Sequence, residues 1–245
     1  MNVLLLRLDA PLMSFGTVAV DYRRPSGSFP ALSMIAGLLG AALGYYRHEA
    51  GKLQRLQERI LFAARIDRSG EPLRDYQTVD LGQPWMDGTK KGVGWTTRGR
   101  MEVRRGSGEN RTGTHIRYRD YWSNRVVMVA LTLAEEDEAP VLDELAAALT
   151  VPIHPLYFGR KSCPPAAPIF MGMTRSSALR DALERTARSE HSDLGPLHAQ
   201  WPPEEGGEGE ETVLWDRRDW ASQVHTGSRV VLRGMVDPPE QEVIA

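Results

Sequence analysis

One cysteine, Cys163, is all the thiol chemistry the chain carries in 245 residues. That excludes an intramolecular disulfide and, from cysteine alone, a thiolate metal site, so a reducing cytoplasm is the expected home. Long apolar runs are equally scarce. The longest, Leu32 to Tyr46, makes a helix of about 22 Å at ~1.5 Å per residue, short of a hydrocarbon core of about 30 Å. It is expected to be a buried helix, with no membrane partner. Met1 to Leu8 offers a short apolar run broken by Arg7, without the charged start, long apolar core and cleavage site of a signal peptide. The six histidines (His48, His115, His154, His191, His198 and His225) fall at no metal-ligand spacing; His48-Glu49 opens like a zinc-protease motif, but position 52 is lysine. No Walker loop is present, and Gly92-Val93-Gly94 lacks the third glycine and the strand-to-helix setting of a dinucleotide site. The expectation is a chain without metal or cofactor.

What is abundant is positive charge in one place. The net charge is −2, yet residues 1–125 carry 20 basic and 12 acidic side chains, whereas 126–245 carry 10 and 20. The asymmetry concentrates in Lys90 to Arg125, where ten Lys or Arg face three acids, a local charge of +7. Trp95, Tyr118, Tyr121 and Trp122 are interleaved with that charge. Cation next to flat ring is the pairing that tracks phosphates while stacking unstacked bases, and Arg98, Arg100, Arg104, Arg105, His115 and Arg117 are the candidate contacts. A solvated basic loop is the bland alternative.

The remaining chain is patterned as a mixed α+β protein. Val3 to Leu8 reads as a strand, Leu12 to Pro30 as an irregular segment, and Leu32 to Arg47 as an apolar helix in which Gly37, Gly40 and Gly44 share a face that lets another backbone approach. Leu53 to Leu61 is helical. Phe62 to Asp67 and Leu73 to Leu81 read as strands around a Ser69-Gly70 turn, and Val126 to Leu133 as a central strand. Trp95 to Arg105 and Thr114 to Trp122 are expected to be the arms of a long hairpin with its tip near Gly106-Ser107-Gly108. Pro140 suits the first turn of a helix buried through Val141, Leu142, Leu145 and Leu149; Ser176 is expected to cap a short helix with Leu179 and Leu183 inward. The polar stretch 189–211 ends in an acidic piece, Glu204 to Glu211, expected to be a mobile loop, and Thr212–Asp216 and Arg229–Val236 close the fold. Together these give a split βαβ sandwich with helices on one sheet face. The expected division is a palm over 1–172, with 82–122 inserted as a basic hairpin, and a C-terminal region over 173–245.

Two loops carry binding chemistry. Arg23-Arg24-Pro25-Ser26-Gly27-Ser28 places two guanidiniums and two hydroxyls before a helix whose N-terminal amides favour phosphate. Gly159-Arg160-Lys161-Ser162 repeats that chemistry, and its cations would lower the pKa of Cys163 if close to it. Arg74 and Asp75 are read as a possible surface pair with each other. Metal-independent RNA cleavage needs a base for the 2′-hydroxyl and a cation for the phosphorane, and Tyr46, His48, His115 and Lys161 are the residues able to supply them.

Several motifs in order resemble one family. Leu8-Asp9-Ala10-Pro11-Leu12, Ser14-Phe15-Gly16, Arg24-Pro25-Ser26, Phe29-Pro30, Ser33 and Gly37-Leu38-Leu39-Gly40-Ala41-Ala42-Leu43-Gly44 look like the CasD family of type I-E CRISPR Cascade subunits. Arg74-Asp75-Tyr76-Gln77-Thr78 and Tyr157-Phe158-Gly159-Arg160-Lys161-Ser162-Cys163-Pro164 continue the likeness, which spans roughly Met1 to Gly172. The resemblance implies an RRM-like, ferredoxin-like core with a protruding β-hairpin thumb. Its implied job is non-catalytic: holding the 5′ handle of the guide RNA (crRNA) beside the CasC backbone and the large CasA subunit, with the other Cascade subunits and, through the assembled complex, target DNA. Carried over residue by residue, Ser14, Gly16, Arg23, Arg24, Pro25 and Ser26 face the handle, Tyr76 and Thr78 line the same surface, and Arg160, Lys161 and Ser162 clamp its backbone. In a related subtype the corresponding subunit is itself the RNase that cuts the precursor, which is the enzyme alternative. Phe15 stands where the family is expected to carry tryptophan.

Overall fold

The computed structural model describes residues 1–17, 22–80, 93–95, 101–103 and 114–240; for 79–80, 93–95, 101–103 and 114–115 only the backbone is described. The first strand, β1 (Asn2–Asp9), alternates so that Leu4, Leu6 and Leu8 enter one core and Val3 another. Two short strands follow, β2 (Leu12–Met13) and β3 (Arg23–Arg24), then α1 (Leu32–Ala42) and α2 (Ala50–Arg59), which runs directly into β4 (Ile60–Arg68). Next come β5 (Glu71–Asp80), β6 (Val93–Trp95), β7 (Met101–Val103), β8 (Thr114–Ser123) and β9 (Val126–Leu133). The chain ends with α3 (Leu142–Thr150), β10 (Phe170–Arg175), α4 (Leu179–Arg185), β11 (Leu197–Trp201), β12 (Glu210–Asp219) and β13 (Val224–Val236).

Seven strands form one antiparallel sheet in the order β10-β1-β9-β4-β11-β13-β12. All eight residues of β9 are buried, because it lies between two cores. Full burial of a valine or leucine side chain is worth about 1.5–3 kcal/mol, which explains the near-continuous apolar run. Its one hydroxyl, on Thr132, donates to the Asn2 carbonyl at 2.8 Å.

Helices α1, α2 and α3 cover one face, packing Ile35, Leu39, Leu53, Leu56 and Leu145 against the even-numbered leucines of β1 and against Phe62 of β4. On the opposite face α4 places Leu179, Ala182 and Leu183 against Ala63, Ala130, Trp201 and Leu232. The expectation of helices on one face only is therefore corrected. The central strands are apolar on both sides, and a short amphipathic helix is what covers the second side.

Other sequence expectations are revised in detail. The first helix stops at Ala42 rather than Arg47, because Gly44 takes φ +81° and closes a Schellman turn: Gly44 N–H donates to Ala41 O at 3.1 Å and Tyr45 N–H to Gly40 O at 2.8 Å. Gly37 and Gly40 admit the side chains of Trp220 and Leu53, not another backbone. Ser176 does not cap α4. Glu205 does, accepting from the Leu179 and Arg180 amides at 2.7 and 2.8 Å. This carboxylate belongs to the stretch read as a mobile acidic loop, which instead holds a 3-10 turn (Pro203–Glu205) and the start of β12, and the polar segment before it contains β11. Pro140 lies just before α3, where Glu144 accepts from the Val141 amide at 2.9 Å.

The arms of the long hairpin are also different. β8 pairs with β5 through ten consecutive register pairs, from Glu71↔Ser123 to Asp80↔Thr114, while among the described residues β6 and β7 pair with each other. β5, expected as an ordinary strand over Leu73–Leu81, is therefore one arm of the ribbon. The expected tip at 106–108 lies outside the described residues.

Candidate nucleic-acid interface

The small sheet β2-β8-β3, with β5 on the free side of β8, brings the predicted loops together. Phe15 N–H donates to the Ser26 hydroxyl at 3.0 Å and Gly27 N–H to Phe15 O at 2.7 Å, so Phe15 and Gly16 lie against Ser26 and Gly27. Trp122 donates its indole N–H to Gly27 O at 2.7 Å. Arg125, buried over the Trp122 ring at 3.4 Å, donates to Ser28 O and Ser69 O at 2.7 and 2.6 Å. Burial pushes its pKa down to about 10. This arginine of the basic segment serves the protein chain.

The second loop docks against the first. Ser14 N–H donates to Phe158 O at 3.1 Å, and the turn from Arg160 to Cys163 is closed by Cys163 N–H on Arg160 O at 2.9 Å. Gly159 sits at φ +93°, and a methyl group there would overlap the carbonyl oxygen of Ser14. Arg160 lies over the Tyr121 ring at 4.6 Å and donates to Asp120 O at 2.9 Å and to Arg24 O at 2.8 Å. Two of its N–H groups are thus occupied by the protein, and it fixes the position of Arg24. Ser14 itself is buried, Arg23, Arg24, Lys161 and Ser162 are exposed, and Pro25 and Ser26 are half-buried.

Around this junction opens a cleft of about 450 Å³ whose wall includes Ser14, Arg24, Arg160, Arg218, Trp220 and His225. The last three come from the closing hairpin β12/β13 and went unread in the sequence, although Arg217-Arg218-Asp219-Trp220 is the same cation-with-ring pattern that marked the basic segment. Arg218 Nε and Trp220 Nε1 are buried and find no hydrogen-bond partner among the described residues.

The α1 N-terminus contributes less to this site than its sequence implies. Asp216 accepts from the Leu32 amide at 2.9 Å while paired with Arg229 at 2.9 Å, so a carboxylate of the protein already occupies that end of the helix dipole. Phe15 is fully buried and serves the core, not ligand stacking. Cys163 is buried too, and burial pushes its thiol up, with the Ser162 hydroxyl and Arg160 opposing only weakly. The expectation of a lowered thiol is overturned.

His225 faces the Ser33 hydroxyl at 3.0 Å from Nε2, and burial together with Arg218 holds it below the ordinary histidine value of 6.5. A depressed folded-state pKa means that the unfolded chain binds this proton first, so stability is full above pH ~6.5 and falls as pH drops from there towards the folded value. NMR titration of the imidazole is expected to find a midpoint below 6.5, and His225→Gln to remove part of the acid-side slope of stability against pH. A midpoint at or above 6.5 would contradict this.

On the ribbon, Tyr76 stands opposite Tyr118 with ring centroids 5.6 Å apart, and Tyr22 lies 5.8 Å on the other side of Tyr118. Tyr76 is 55% exposed and Tyr22 43%, giving a short row of open rings. Arg74 pairs with Asp120 across the strands at 2.7 Å, not with its neighbour Asp75, and Thr78 is exposed opposite Ile116. Arg117 is half-buried opposite Gln77. Arg98, Arg100, Arg104, Arg105 and the side chain of His115 lie outside the described residues. Of the residues considered for cleavage, Tyr46 stacks on His48 at 5.5 Å and meets the edge of His154 at 5.1 Å, whereas Lys161 belongs to the Arg160–Cys163 turn.

Comparison with known proteins adds an independent line. Residues 3–232 match a family model described as CRISPR-associated protein (Cas_Cas5). The chain is 34% identical over 190 residues to the CRISPR system Cascade subunit CasD of Escherichia coli strain K12, covering 74% of this chain and 75% of that protein. A chain of a solved CRISPR RNA-guided surveillance complex superposes with a TM-score of 0.68 at 23% identity, over 97% of this chain and 91% of the other. A crystal structure titled as a Cas protein superposes with a TM-score of 0.62 at 25% identity, over 98% of each chain.

Proposed function

This chain belongs to the Cas5 family of CRISPR-associated proteins, and from that premise we propose that it is a type I-E Cascade subunit that holds the 5′ handle of the guide RNA without cutting it. The observation that carries the reading is the convergence of three distant segments, around Arg24, Arg160 and Arg218, on one cationic cleft beside a row of exposed tyrosines. Phosphate contacts supply affinity, and unstacked bases lie against the rings. Strands β10-β1-β9-β4, with α1, α2 and α3 packed on one side, constitute the RRM-like palm of this reading, and the β5/β8 ribbon its thumb. Arg160 acts as the brace that presents Arg24, while Arg24 and Arg218 meet the RNA. The partners in this reading are crRNA, a CasC backbone subunit, the large CasA subunit and, through the assembled complex, target DNA.

The test is fluorescence anisotropy of a single-stranded RNA carrying the repeat-derived 5′ end, across a salt series. The double variant Arg24→Ala, Arg218→Ala is expected to bind more weakly and to flatten the plot of log K against log salt by about 0.7 per lost phosphate contact on single strands. An unchanged slope removes both residues from the interface. The same RNA incubated in EDTA is expected to remain intact. Specific cuts abolished by His48→Ala or Tyr46→Phe would instead establish the nuclease reading, for which the clustering of Tyr46, His48 and His154 is the favouring observation.

A further inference from the structure

The closing hairpin brings a titratable ring to the cationic cleft. His225, near the start of β13, lines the cleft together with Arg24, Arg160 and Arg218, and its side chain is exposed. Arg218 stands directly across the ladder from it. Its Nε2 lies 3.0 Å from the hydroxyl of Ser33, the second residue of α1, and that is the one hydrogen bond the ring makes among the described residues. The hydroxyl keeps this bond in either charge state, donating to a neutral Nε2 and accepting from a protonated one. The imidazole is thus anchored at one nitrogen, which leaves Nδ1 for a ligand.

The charges that act on this ring come from three directions. From β12 come Arg218, which in turn feels Arg47, and Asp216. Arg218 is held in place by Gln223, donating from Nη2 to its O and Oε1 at 3.0 and 2.8 Å. The Asp216 carboxylate is already engaged by Arg229 and the Leu32 amide. From α1 comes the neutral Ser33 hydroxyl, and the loops of the cleft supply Arg24, Arg160 and the Tyr157 phenol. Three cations therefore share one cleft with the imidazole. Burial and Arg218 favour the neutral ring in the free chain. A phosphate seated among these cations reverses the balance, because it offsets Arg218 and places an opposite charge beside the imidazolium.

We propose that His225 is the third RNA contact of the cleft, beside Arg24 and Arg218, and that it meets a backbone phosphate as the imidazolium, so that binding RNA takes up a proton. Protonated, the ring donates Nε2–H to Ser33 and Nδ1–H to a phosphate oxygen, and a bond between two charged groups is of the strong kind. The proton comes from solvent. The inference rests on the RNA-holding reading for the source of the phosphate, and adds that affinity follows pH as well as salt. The two dependences are separable. Salt reports every cation that meets a phosphate, whereas His225 is the one side chain in the described wall of the cleft whose ordinary charge change falls between pH ~5 and ~8.

The experiment is anisotropy of the single-stranded 5′-end RNA from pH ~5.5 to ~8 at constant ionic strength, with the full parent chain, His225→Gln and His225→Lys. Glutamine keeps a hydrogen-bond partner for Ser33 without a charge, and lysine carries a charge throughout that range. The parent is expected to bind more tightly as pH falls, by up to about tenfold per pH unit where one proton is taken up. His225→Gln is expected to lose that gain, and His225→Lys to bind tightly with little pH dependence. Calorimetry in two buffers of different ionisation enthalpy is expected to show proton uptake by the parent and less by His225→Gln. RNA binding that keeps its salt slope but has the same pH slope in the parent and in His225→Gln overturns the contact and leaves the RNA-holding reading standing. If the parent does not bind this RNA, that reading falls, and the imidazole is titrated by NMR with and without inorganic pyrophosphate. A midpoint raised by pyrophosphate then upholds His225 as a phosphate contact, and an unmoved one overturns it.

Discussion

Asp67→Ala is expected to lower the stability of the folded chain by about 4 kcal/mol, within the 3–5 kcal/mol typical when one partner of a buried ion pair is removed. Arg65 and Asp67 are both fully buried, with Nε to Oδ1 at 2.6 Å and Nη2 to Oδ2 at 3.0 Å. Their remaining hydrogen bonds fasten the end of α4: Arg65 donates to the carbonyls of Leu183, Thr186 and Ala187, and Asp67 accepts from the Ser189 amide at 2.7 Å. Removing the carboxylate strands a guanidinium in a fully buried site, and that stranded charge is the source of the loss. Urea denaturation of Asp67→Ala, of Arg65→Met and of the double variant checks the argument. The double variant is expected to be more stable than Asp67→Ala, since it removes the orphaned charge; equal or additive losses would contradict the pairing. In the fraction that stays folded, affinity for RNA is expected to be unchanged, because the pair serves the face of the sheet under α4 and takes no part in the cleft wall.

Gly159→Ala has the second largest expected effect, about 3 kcal/mol. Left-handed backbone costs an ordinary L-residue about 1–2 kcal/mol, and the added methyl must displace the Ser14 carbonyl, which has no room to retreat because Ser14 N–H is bonded to Phe158 O. In a chain of this size that corresponds to a fall in melting temperature of roughly 6–12 °C. Unlike Asp67→Ala, this change is expected to weaken RNA binding as well, since it separates the two loops that frame Arg24 and Arg160. Paired thermal melts and anisotropy on the same preparation distinguish the two variants. A destabilised Gly159→Ala with unchanged RNA affinity would show that the loop junction does not support the site.

Periodicity made much of the scaffold legible. The alternating leucines of β1, the unbroken apolar run of β9, the apolar stretch of α1 and the closing strands were each written in local sequence, because each buries a face whose period is set by its own backbone geometry. The basic segment was legible as a polyanion feature, but its pairing was not. β8 found its partner in β5, across the intervening 81–113, and nothing local separates that pairing from a hairpin turning at Gly106. Charge counting likewise could not see that Arg125 and Arg160 are engaged by backbone carbonyls, or that Asp216 already caps α1. Arg218, Trp220 and His225 were missed because they are ordinary surface residue types until the C-terminal hairpin is laid beside the first loop.

By itself, then, the sequence determined the type of its strongly patterned segments, such as β1, α1, β9 and α3, where positive charge gathers, and which short motifs announce the family. The tertiary structure alone decided which of the described cations are engaged by the protein itself, and that Arg24, Arg160 and Arg218 border one cleft. The physical reason is that element type follows from side-chain period along a few residues. A hydrogen-bond partner, by contrast, is settled by groups that arrive from more than a hundred residues away, as Asp216 does at Leu32.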